Sequence, residues 1–72
     1  MTDKEIRKLR KLFDRWIEQN QSHKETYTKW REIAKTKNLV PLVNKLNSVI
    51  HSMKEHIENL IDTKNMLDTA VF

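Results

Sequence analysis

Two histidines and a group of uncharged polar residues have the types and spacing that could do chemistry here. His23 and His56 each fall on the apolar side of a helical repeat, where imidazole is available as a ligand. Imidazole suits zinc, nickel, iron and copper, and bundle interiors are where helical proteins build such sites. One reading is therefore a divalent transition metal or small ligand held by His23 and His56, with Gln19, Asn20, Glu55 or Asn59 as helpers. Neither a Glu-x-x-His pair nor a His-Glu-x-x-His run occurs, so the spacings of carboxylate-bridged di-iron sites and zinc proteases are missing. The plainer reading is a buried polar layer of Gln19, Asn20, Thr26 and Asn59 around the histidines. An asparagine on an apolar seam sets register and oligomeric state at some cost in stability.

Other chemistry is thin. Ser48, His51 and Ser52 are close in sequence, but no acid or oxyanion donor completes a triad. Glycine and cysteine are both absent, which argues against phosphate-cradling loops, thiolate metal sites and disulfides. No enzyme is expected. Lys4, Lys8, Lys11 and Arg15 form a basic row on the first helix. Like charges four apart repel slightly, which hints at an anionic partner such as nucleic acid or an acidic protein. A solvated face explains the row more simply, and no module that reads bases is apparent.

The elements that must position these residues are two long helices. Thr2 and Glu5 fit a capping box. From there Ile6, Leu9, Phe13, Trp16, Asn20, His23, Tyr27, Trp30 and Ala34 alternate spacings of three and four, the seam of a coiled coil. Leu12, Ile17 and Ile33 widen the stripe toward that of a bundle helix. Asn38 suits a left-handed helix end, and Pro41 suits the first position of the next helix. The pattern predicts a helix over about 3–37, a loop over about 38–40 and a second helix over about 41–71. The second seam is Val43, Leu46, Ile50, Met53, Ile57, Leu60, Lys64, Leu67 and Val71, flanked by Leu42, Val49, His56, Thr63 and Ala70. Asn20-Gln21-Ser22 are weak helix formers, and Ser22 with Glu25 mimics a second cap, so a break there is the alternative. The unchanged repeat on both sides favours one continuous helix.

A short loop makes the helices antiparallel and pairs residues whose numbers sum to about 79, which sets His23 level with His56 and Asn20 level with Asn59. Residues 1–45 carry 12 Lys/Arg and 6 Asp/Glu, a charge of +6, while residues 46–72 carry 2 Lys and 4 Asp/Glu, a charge of −2. Helices of opposite sign attract. A chain of 72 residues rarely buries enough apolar surface alone, and a hairpin leaves part of so wide a stripe uncovered. The expectation is an all-α antiparallel hairpin that forms a homodimer, a four-helix bundle. No apolar run is long enough to span a membrane and no signal peptide is apparent, so no membrane partner is expected and the cytoplasm is the expected location.

The run from Trp16 to Trp30, WIEQNQSHKETYTKW, resembles a small uncharacterised family of helical-hairpin proteins from archaea and anaerobic bacteria. These carry a W-[IL]-E-H-N-x-x-H-x-x-x-Y-x-x-W-like segment followed by a second amphipathic helix. Trp16, Glu18, Asn20, His23, Tyr27 and Trp30 match, whereas Gln19 stands where that pattern has histidine. The resemblance implies the hairpin and no particular activity. The departure at Gln19 removes a second histidine at i and i+4, which weakens the metal reading.

Overall fold

Both helix boundaries follow from local chemistry. The Thr2 hydroxyl accepts the Glu5 amide at 3.1 Å, and the Glu5 carboxylate accepts the Thr2 amide at 3.2 Å. This is the expected capping box, and it satisfies two amides that would otherwise lack partners. Helix α1 then runs over Asp3–Thr36 without a break at Asn20–Ser22. It ends because Asn38 turns left-handed, with φ of 56°. Two crossed bonds close that end, Asn38 N–H to the Lys35 carbonyl at 3.0 Å and Leu39 N–H to the Ala34 carbonyl at 3.1 Å.

Helix α2 runs over Val40–Ala70. Pro41 is its second residue rather than its first. It costs nothing there, because first-turn amides have no partner within the helix. The computed structural model describes residues 2–70. The expected seam position Val71 and the side chain of Ala70 lie outside the described residues.

The helices pack along their whole length as an antiparallel hairpin of 53 × 14 × 12 Å. Its core is slender. Phe13, Ala34 and Ile57 are buried, and no side chain among the described residues is fully enclosed. The remaining seam residues, such as Ile17, Tyr27, Leu46 and Leu60, are half-buried. Two helices cover one stripe on each other and no more, so most of each helix surface stays open.

Candidate functional site

Three polar contacts between the helices fix how they slide past each other. Arg10 Nε donates to Asp68 Oδ1 at 2.6 Å, Arg31 Nη1 donates to Asn47 Oδ1 at 3.2 Å, and Lys64 pairs with Asp14. Each joins residues whose numbers sum to 78. The antiparallel register expected from the short loop thus holds to within one residue.

The rotation of α1 differs from expectation. Helix α2 turns the expected row of Val43, Leu46, Ile50, Met53, Ile57, Leu60, Lys64 and Leu67 inward, with Ile57 buried and the others half-buried. Helix α1 keeps Ile6, Phe13, Asn20, Tyr27 and Ala34 inward, but Arg10, Ile17, Lys24 and Arg31 complete its seam. Trp16, His23 and Trp30, expected on that seam, are exposed instead, while Leu9 stays half-buried. The cause is the width of the apolar stripe, which exceeds what one partner helix covers. Turning α1 toward Ile17 also brings Arg10 to Asp68 and Arg31 to Asn47. The long basic side chains lay their stems over α2 and keep their charged ends in water.

The hairpin therefore has two unlike faces. One carries the polar contacts just described. The other is open and apolar. On it stand Trp16, His23 and Trp30, each one residue before a seam residue of α1. Leu42, Val49 and His56 stand one residue before seam residues of α2. In antiparallel helices of the same hand these positions lie on the same side. Trp16 is 37% exposed, with its ring set edge-on against Phe13 at 5.3 Å, and Trp30 is 54% exposed. Leu42, Val49 and Met66 are exposed as well, and a shallow hollow lined by Val49, Ser52, Met53 and His56 indents this face.

The hairpin alone buries neither histidine. His23 lies beside Tyr27, ring centres 6.5 Å apart. The register sets His23 level with Glu55 and His56 level with Ser22, so the two histidines share one level and one face. Glu55 itself points elsewhere, toward His51 Nε2 at 3.0 Å. Within one chain, among the described residues, no group of three or more His, Asp or Glu side chains gathers to hold a metal.

The polar residues are likewise scattered. Asn20 is half-buried and donates to the Trp16 carbonyl at 2.8 Å, and the exposed Thr26 donates to the Ser22 carbonyl at 3.1 Å. Gln19 and Asn59 are exposed, and Asn59 sits on an outer row of α2. Among the described residues none of these four side chains bonds across to the other helix. The basic row of Lys4, Lys8, Lys11 and Arg15 is exposed throughout, and none of the four has an ion-pair partner among the described residues.

Sequence reasoning missed the seam roles of Arg10, Lys24 and Arg31. The available signal was charge, because Asp68 and Lys64 stand level with Arg10 and Asp14. No helix among the described residues is long and apolar enough to cross a membrane. No curated protein and no solved structure matches the chain. One family model does match, over residues 9–67, and its family is described as a domain of unknown function, DUF8180. The match takes in α2 almost entirely, the whole Trp16–Trp30 segment and most of the open face, and on that match the chain belongs to this family.

Proposed function

We propose that the chain is an interaction module that pairs with a second copy of itself through the open face, giving a four-helix bundle. The observation that carries this reading is the self-complementary layout of that face. Its paired length runs from residue 8 of α1, level with residue 70, to residue 36, level with residue 42. The middle falls at residue 22, level with His56. Apolar side chains lie toward both ends, and Gln19, His23, Thr26 and His56 lie in the middle. A twofold pairing that covers the full length of this face lays polar centre on polar centre.

Charge selects the direction. With the two loops at opposite ends, α1 would lie on its copy and Arg15 would stand beside the partner's Lys29. With both loops at one end, α1 lies on the partner's α2. Leu12 then stands level with the partner's Met66, and Arg15 and Trp30 stand within one residue of level with the partner's Asp62 and the partner's Val49. Met66 is 71% exposed in the hairpin, and this arrangement gives it a cover. The basic first half also meets the acidic second half. Burying the two tryptophans adds what the slender hairpin core lacks.

Spin labels on Lys37→Cys test the arrangement, because Lys37 is exposed beside the loop. Loops at one end place the two labels within about 30 Å, given helix spacings of about 8–10 Å and flexible label arms. A separation close to the 53 Å length of the hairpin would reverse the direction. The absence of any distance between chains would remove the dimer.

A second reading rests on the basic row, whose four cations are exposed and have no ion-pair partner among the described residues. It would bind nucleic acid or an acidic surface, with affinity falling steeply as salt rises. Affinity that ignores salt would exclude it.

A further inference from the structure

The middle of the open face holds chemistry that a plain docking surface does not need. His23 and His56 share a level there, and both rings are exposed in the hairpin. Gln19, Thr26 and Ser52 stand near that level toward the same side, all polar and all uncharged. Among the described residues one chain therefore offers two imidazoles there and gathers no third His, Asp or Glu ligand. Because the histidines stand at the middle of the paired length, either twofold arrangement gathers His23, His56, the partner's His23 and the partner's His56 into one layer.

We propose that this layer is a metal site completed only in the dimer, taking one divalent transition cation per two chains. The inference rests on the docking reading above. Four neutral nitrogen donors suit zinc, copper or nickel and disfavour magnesium or calcium, which want oxygen. The Glu55 carboxylate, level with His23, is turned toward His51 and away from the layer. Neutral polar neighbours supply hydrogen-bond partners for the ring nitrogens that do not face the metal. The metal ties all four helices at the level where apolar contacts are thinnest.

Zinc titrated into chelator-stripped protein is the test, followed by native mass spectrometry and by thermal unfolding. The expected result is one zinc per dimer and a raised melting temperature. His23→Ala and His56→Ala should each weaken zinc binding by about a hundredfold, because either change removes two of the four ligands from a symmetric site. Both positions are exposed in the hairpin, so unchanged helicity by circular dichroism is expected in both variants. His51→Ala, on another face, should bind zinc as the parent does. A metal-free dimer that takes up no zinc would overturn the metal site and leave the docking face standing. A chain that stays monomeric with and without zinc would overturn both. One zinc per chain, kept in either variant, would show that the histidines do not share an ion.

Discussion

Trp30→Ala separates a hairpin that stands alone from one that is half of a bundle. Trp30 is 54% exposed in the hairpin. A tryptophan buries about 150–250 Å² when covered, so a partner hides about 100 Å² more of it. At about 25 cal/mol per Å² this contributes about 2.5 kcal/mol per chain. A twofold dimer loses that contribution twice, about 5 kcal/mol or between three and four decades in Kd. If the hairpin is monomeric, the same change falls on a largely open surface and moves stability by about 0.5 kcal/mol. Light scattering across a dilution series reads the dimer constant directly. Ile61→Ala is the control, since Ile61 is 38% exposed and lies on the polar-contact side of α2. Dissociation of the Trp30 variant at concentrations where the Ile61 variant stays paired is the expected outcome. An unchanged Kd for the Trp30 variant would refute the assignment of the open face as the interface.

The hairpin core and its cap give further expectations. Ile57, 7% exposed, and Ile61, 38% exposed, are the same residue type one turn apart. Ile57→Ala should cost about 3 kcal/mol in denaturant unfolding and Ile61→Ala about 1 kcal/mol or less, since only the first leaves a cavity; equal losses would mean the seam is misplaced. Hydrogen bonds from the Thr2 backbone amide and then the Thr2 hydroxyl hold the Glu5 carboxyl below the usual glutamate range. Its contribution to the cap is therefore present above the unfolded-state pKa and is lost as pH falls through the lowered folded one. In a carbon-detected titration the Glu5 carboxyl should protonate below the usual glutamate range, and Thr2→Ala should bring it back into that range.

The hairpin was legible because its signals are local. The Thr2–Glu5 cap, the left-handed Asn38 and the unbroken repeat through Asn20–Ser22 each depend on neighbours in sequence. The register was legible because a short loop leaves little choice, and Arg10–Asp68 confirms it to within one residue. The rotation of α1 was not. Its apolar stripe includes both the Trp16–Trp30 row and Ile17, and spacing alone does not say which part meets α2. That choice is made by contacts more than thirty residues apart in sequence, Arg10 with Asp68 and Asp14 with Lys64. The same rotation moved His23 from an expected interior position to the open face. Asn59 went astray for a related reason, because being level with Asn20 does not put a residue on the facing side.

Sedimentation equilibrium of the purified chain, over a wide concentration range and with chelator present, tests the central claim most directly. The expected mass is twice that of the 8.7 kDa chain, falling toward one chain only on strong dilution. A single-chain mass at every concentration, with helicity intact, would contradict it.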